Sequence, residues 1–404
     1  MQNATAFLAA MKETWLSDSI ENSVFVGSPA LDQFTKLTPT GEHGDTVRVT
    51  VRTGLSGGFS AVPREGSASL NEGTNVVTKR ADYNYAHNWF DVIIESAVID
   101  ESATSALAVA KAVEVEREGA TDSIKRQLQR GIFSDGTGLI CSLEDSEGAK
   151  TTLTVAAAGD GASALKRGHL YPGLKVDVGT AANEDSLAED REITAVSVAN
   201  GTITISGATI DTEEDGKHYV SIANARSGET SYEIDGLLAM LSATGEYGGI
   251  DPALVPSWAS YVDTTAQDVS TSLVYELEDE VFQSSGEEVD WCVSSAKQIR
   301  VLSEELQAQV RFNAGDSFNT GKRQGLTTPN GTTVERHFDC PDRCLFMLRK
   351  RDLGSVRHKQ GPQWADERMI IHQSGSTRFR GDLVWRLNTA LLRRNTHAVA
   401  TELN

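Results

Sequence analysis

GLSGGFSAVPREGSASLNEGTN, residues 54–75, joins two segments that alternate like β-strands. Five glycines and four serines give it little to bury. Before it, TVRVTVR (46–52) puts Val47, Val49 and Val51 on one face and Arg48, Thr50 and Arg52 on the other, as a half-exposed strand requires. After it, Tyr83, Tyr85, His87 and Trp89 share a face, followed by Val92, Ile93 and Ile94. The expectation is a long hairpin with a glycine-rich tip. Unstructured connections longer than about 12–15 residues are uncommon in compact domains and are usually functional or disordered. A tip this polar cannot bury Leu55, Phe59, Val62 and Leu70 by itself, so these residues need a surface outside their own domain. Arg64 and Glu65 would add ion pairs there, each worth about 0–1 kcal/mol if exposed.

The chain then changes period. Over 100–133, Ala103, Ala106, Leu107, Ala110, Val113, Ala120, Ile124 and Leu128 follow helical spacing, with Asp100 or Ser102 as cap and Gly131 as a stop. About 30 residues would span roughly 40–45 Å. Residues 151–228 break into short β-like runs (LTVAAAG, LKVDVG, EITAVSV, GTITISG, HYVSIANA) separated by Gly, Asn and Asp turns. That spacing predicts a small barrel or sandwich inserted into the chain. TAQDVSTSLVYELEDEVFQS (265–284) and SAKQIRVLSEELQAQVRF (295–312) read as helices around a buried strand in EEVDWCVSS, and 316–333 reads as a long polar loop. The last 70 residues return to strands. MQNATAFLAAMKETWL reads as a short amphipathic helix, with Phe7, Leu8, Met11, Trp15 and Leu16 on one side, and not as a signal peptide.

Composition removes several function classes. No window of about 18 apolar residues exists, so no membrane span is expected. The net charge of −20 argues against a dedicated nucleic-acid binder. It is unevenly placed: residues 1–293 hold 19 Lys/Arg and 46 Asp/Glu, a net −27, and residues 294–404 hold 18 and 11, a net +7. Such asymmetry suits either plain solubility or the meeting of acidic and basic regions of neighbouring copies. Cys141, Cys292, Cys340 and Cys344 are too dispersed for a disulfide framework and read as reduced thiols.

Catalytic motifs are missing: no His-Glu-x-x-His or Walker loop occurs, and GLSGG (54–58), though it spells Gly-x-Ser-x-Gly, lacks the following helix that a nucleophile elbow needs. DTEEDG (211–216) imitates a calcium loop but places Ile222 where a bidentate Glu is needed. His337, Cys340 and Cys344 read as strand and turn residues before they read as zinc ligands. His87, His218, His358, His372 and His397 have no companion in sequence, and Trp89, Trp258, Trp291, Trp364 and Trp385 read as packing anchors. No catalytic, cofactor-binding or metal residue is assigned, and the chain is not expected to be an enzyme.

The order of these parts resembles the major capsid proteins of tailed bacteriophages with the HK97-type fold, over nearly the whole chain. RFRGDLVWRLNTALLRRNTHAVATEL (378–403) is similar to that family's last strand and apolar ending, although Arg394-Asn395-Thr396-His397-Ala398 lacks the proline often found there. The resemblance implies an α+β chain with six parts. These are an N-arm (1–45), an E-loop hairpin (46–95), a P-domain with spine helix (96–150), an inserted β-rich domain (151–228), an A-domain (229–335) and return strands of the P-domain ending in the A-domain (336–404). It implies self-assembly into hexamers and pentamers of an icosahedral shell around double-stranded DNA, with no sequence-specific contact to that DNA. Assembly in a bacterial host's cytoplasm would use a separate scaffolding protein and a portal protein, and the inserted domain is a place for a decoration protein. Leu55, Phe59, Val62, Arg64, Glu65 and Leu70 become subunit contacts. Some family members weld subunits by a Lys–Asn bond, but Lys79 is the only lysine between 46 and 95, so no weld is expected at the tip. An encapsulin-like compartment and a hydrolase with a spatially assembled site are the alternatives.

Overall fold

The alternation of TVRVTVR persists in three dimensions. In a computed structural model, Thr46–Arg52 and Thr78–Asn84 pair antiparallel over their full length, from Thr46 opposite Asn84 to Arg52 opposite Thr78. The structure describes residues 29–37, 46–55, 57, 59–61, 72–73, 75–95, 119, 122–144, 148–156, 161–181, 183, 187–212, 217–309, 326–327, 331–358, 363–364, 371–372 and 378–404. Val47 and Val51 are buried, while Arg48, Thr50 and Arg52 face solvent.

The return strand departs from expectation at one place. Tyr83 and Tyr85 are buried as the alternation demands, but Ala86 is buried beside them and His87 and Trp89 are exposed. The cause is a change of partner. Thr78–Asn84 belongs to the hairpin, whereas Ala86–Glu95 begins a new antiparallel ladder with Arg378–Leu391, running from Glu95 opposite Arg378 to Ala86 opposite Leu387. A one-residue offset between two ladders turns every later side chain to the other face.

Arg378–Leu391 organises the first large sheet. Leu353–Arg357 pairs with its C-terminal end, Thr35–Leu37 adds parallel to that strand, and Gln363–Trp364 and Ile371–His372 pair further back. A second sheet runs Tyr261–Asp263, Ala398–Ala400, Leu345–Leu348, Trp291–Ser294, Thr333–Arg336, Leu326–Thr327. Its WCVS and LFML strands are buried at every position, the continuous apolar run expected of strands covered on both faces. Helices Thr271–Ser285 and Ala296–Gln309 contribute Leu273, Val274, Leu277, Val281 and Leu302 to the core over this sheet. The first starts later than the expected residue 265. Ser270 is still extended (φ −136°, ψ 162°) and its hydroxyl accepts the Leu273 N–H at 3.2 Å, an N-cap. It stops at Gly286, whose left-handed φ of +69° lets its N–H reach the Phe282 carbonyl at 2.8 Å.

Residues 122–132 are helical and place Ile124, Leu128 and Ile132 in a core shared by both sheets with Trp291, Phe346, Trp385 and Leu387. The rest of the expected 100–133 helix, apart from Gly119, and the N-terminal helix around Phe7–Leu16 lie outside the described residues. Gly131 does not end the helix. It sits in the last turn, where a Cβ would come 2.6 Å from Ile234 Cγ1, so glycine there permits close packing of the chain returning from the third sheet.

That third sheet runs Leu139–Ser142, His218–Ile222, Lys175–Thr180, Ala188–Ser197, Thr202–Ile205, Thr152–Thr154. Each β-like run expected between 151 and 228 contributes a strand. The sheet begins before residue 151, because Leu139–Ser142 pairs with His218–Ile222. Leu153, Val176, Val178, Ile193, Ile203 and Val220 belong to a hydrophobic core of its own.

Candidate functional site

The hairpin stem is held on one side only. Val47, Val51, Ala81, Tyr83 and Tyr85 pack with Ile250, Val255, Trp258, Val356 and Ala390. Asp82 N–H donates to the Gly248 carbonyl at 2.9 Å and the Tyr83 hydroxyl to the Leu391 carbonyl at 2.5 Å. Gly248 has a φ of +60°, and a Cβ there would stand 3.2 Å from both Ala81 Cβ and Tyr83 Cε1. Glycine thus serves both the backbone angle and the close approach of the stem. Burial and hydrogen bonding fix the root of the hairpin.

Thr53 and Gly54 N–H groups share the Val77 carbonyl at 2.9 and 3.1 Å, and after that turn Leu55 is 76% and Phe59 85% exposed. Val76 and Val77 on the returning limb are also about half exposed. Of the expected contact residues, Leu55 and Phe59 are therefore on the surface, and Val62, Arg64, Glu65 and Leu70 lie outside the described residues. Lys79 sits in the stem opposite Val51.

Next to the root, the exposed face of Ala86–Glu95 carries Trp89 (62% exposed) and Ile93. Trp89 is therefore no packing anchor, whereas Trp258, Trp291 and Trp385 are buried as expected. Arg380 bridges Asp91 at 3.1 Å and Asp382 at 3.0 Å across this ladder. Between the root and the loops after the third sheet opens a cleft of about 850 Å³, whose lining includes Asp82, Asp135, Glu233, Asp235 and Glu246 with Trp89 and Tyr232. Burial raises the Asp235 carboxyl above the usual range, partly offset by its bond from Asn388.

The apolar ending turns at Arg394–His397, which the sequence marked only by its missing proline. Arg394 is 1% exposed; its Nε donates to the Met240 carbonyl at 2.7 Å and its Nη1 to that of Gly245 at 3.1 Å. Ser284 Oγ donates to the Asn395 carbonyl at 3.0 Å, and Asn395 Nδ2 returns a bond to Ser284 O at 2.9 Å. His397 Nδ1 accepts the Arg349 N–H at 3.2 Å. Side chains do here what a proline would do covalently: they fix the corner between the two large sheets.

Catalytic groups do not converge among the described residues. All four cysteines are buried, and burial pushes the Cys141 thiol up to about 12, which leaves it protonated and unreactive. His169 Nε2 lies 3.0 Å from Asp339 Oδ1, the geometry of a base with its orienting carboxylate. The nearby Ser163 donates to Asp342 instead of to His169, so the nucleophile–base bond of a serine hydrolase is not made. No group of three or more potential metal ligands occurs among the described residues.

No characterised family description and no curated protein sequence matches the chain. Solved structures do. The capsid asymmetric unit of cyanophage A-1(L) superposes with a TM-score of 0.55, covering 93% of each chain at 12% identity. The fold is that of a phage capsid protein. A gene-transfer-agent (GTA) particle capsid follows at 10% identity, TM-score 0.49, with 94% of this chain and 91% of that one covered. The SrpI encapsulin of Synechococcus elongatus PCC 7942 follows at 8% identity, TM-score 0.43, covering 92% and 85%. The mixed α+β architecture expected from the HK97-type resemblance is the one present.

Proposed function

We propose that this protein is the major capsid protein of a tailed bacteriophage, assembling into hexamers and pentamers of an icosahedral shell around double-stranded DNA. The observation that carries the reading is the near full-length match to the cyanophage capsid subunit. The hairpin supports it. Its root is fixed by a core cluster while Leu55 and Phe59 are offered to solvent, which suits a segment whose apolar residues are covered by another subunit.

In this reading 1–45 is the N-arm, 46–95 the E-loop and 96–150 the P-domain with the spine helix. Residues 151–228 are the inserted domain, joined in one sheet by the strand at 139–142. Residues 229–335 form the A-domain, and 336–404 supply the returning strands. Leu55, Phe59, Val62, Arg64, Glu65 and Leu70 are the contacts to a neighbour. A separate scaffolding protein and a portal are the partners, a decoration protein would sit on the inserted domain, and assembly takes place in the host cytoplasm. The chain works by binding itself and not by catalysis.

Negative-stain microscopy of the purified protein, alone and with its phage's scaffolding protein, tests this. Closed shells of uniform size support the proposal; a stable monomer under both conditions overturns it.

A further inference from the structure

The register of the hairpin sorts its charges. Arg48, Arg52 and Arg80 fall on the exposed face with Asp82 as the only carboxylate, so this face is cationic in a chain of net charge −20. Asp82 pairs with Arg48 at 3.3 Å. Arg52 and Arg80 make no ion pair among the described residues. They are diagonal neighbours across the ladder, about 7–8 Å apart. Two exposed like charges at that spacing gain from a shared anionic partner.

A matching surface lies on the same chain. Among the described residues no Lys or Arg lines the cleft beside the hairpin root, while Asp135 and Glu246 stand exposed at its wall and Asp235 lies deeper. Trp89 and Tyr232, both more than half exposed, flank it and offer aromatic faces to a guanidinium. Complementary patches on one chain, here meeting at Asp82, are what a head-to-tail contact between copies needs, and such contacts close into rings where the rotation between copies closes.

We infer that the Arg52/Arg80 face of one copy's hairpin docks against the Asp135/Asp235/Glu246 cleft of the next copy, and that this ionic contact sets the register of the hairpin on its neighbour. The inference rests on the capsid reading and adds to it a specific pair of surfaces. Duplex DNA is the competing anion. A second copy is favoured because the one arginine of this face already engaged, Arg48, is engaged by a carboxylate, and because the cleft supplies carboxylates with aromatic flanks.

Charge reversal on the full chain tests the pairing, with shell formation followed by light scattering and microscopy. R52E/R80E and D135K/E246K are each expected to slow assembly about tenfold or more, and the two pairs combined in one chain to restore most of it. R52Q/R80Q, which introduces no repulsion, is expected to slow assembly less and to flatten its dependence on salt. Circular dichroism and melting of each variant confirm folding. Shells that form at the unaltered rate in R52E/R80E overturn the inference, as does a combined variant no better than its parents. Loss of duplex DNA retention in R52E/R80E with normal shells reassigns the face to nucleic acid. Failure of the unaltered chain to assemble removes the capsid reading and this contact with it, whereas shells indifferent to the swap remove the contact alone.

Discussion

Arg394 and His397 occupy one buried corner and respond to different perturbations. Burial lowers the Arg394 pKa, but the guanidinium stays charged, satisfied by two backbone carbonyls and by the Tyr247 ring 5.6 Å away. A lysine carries the same charge on one flexible nitrogen and has no pair of nitrogens fixed at the Nε and Nη1 positions, so it serves the two carbonyls less well. R394K is expected to lower unfolding free energy by about 2–4 kcal/mol, read from urea denaturation at neutral pH. His397 is fully buried and its pKa is pushed down from 6.5 to about 3, chiefly by desolvation. The unfolded chain binds this proton first as pH falls, so stability is complete above pH 6.5 and drains away between there and about pH 3. His169 and His337, both lowered by burial, act with the same sign. Denaturation midpoints measured from pH 7 to pH 3.5 are expected to fall steadily, and H397Q, less stable at pH 7, to show a shallower slope. An equal slope would remove His397 as a cause.

At the scale of elements, the hairpin separates folding from assembly. Its stem is tied to the body by Tyr83, Tyr85 and Gly248, all outside 56–72. Deleting residues 56–72 is therefore expected to leave the circular dichroism spectrum and melting temperature close to those of the intact chain while abolishing closed shells. Normal particles from the shortened chain would show that the tip is not a clasp. The same element shows what a sequence can reveal. TVRVTVR was legible because one ladder and one buried face govern all seven residues. Tyr83 to Trp89 was misread because the strand changes ladders at Tyr85, and the second partner, Arg378–Leu391, is about 300 residues away. Helix 271–285 was legible in its interior and wrong at its start, where the Ser270 cap overrode an apolar pattern reaching back to 265. Long-range hydrogen bonds such as His169–Asp339 had no signal at all, since their partners meet only after three sheets have formed.

Across the whole molecule, two kinds of cohesion coexist. The two large sheets share a core into which Trp291, Phe346 and Trp385 all project. The third sheet has its own core, and polar contacts tie it to the rest of the chain. Arg167 pairs with Asp342 at 2.9 Å, His169 with Asp339 at 3.0 Å, and Arg126 donates to the Gly168 carbonyl at 3.2 Å. Hydrophobic burial is cooperative within each core, and these polar bonds cross from one core to the other. Breaking them costs the coupling more than it costs either core. Asp339 is 4% exposed, so D339A leaves His169 without its carboxylate in a buried setting, a loss of about 1–3 kcal/mol. The Arg167–Asp342 pair is partly open to water and weaker. The double variant D339A/D342A is expected to split a single calorimetric transition into two, the third sheet melting first. Hydrogen exchange would then speed up in 175–222 well before it does in 291–294 and 345–348, the buried strands of the other core. One sharp transition in the double variant, with exchange rising together in all these strands, would mean that apolar packing and not the polar seam joins the two cores.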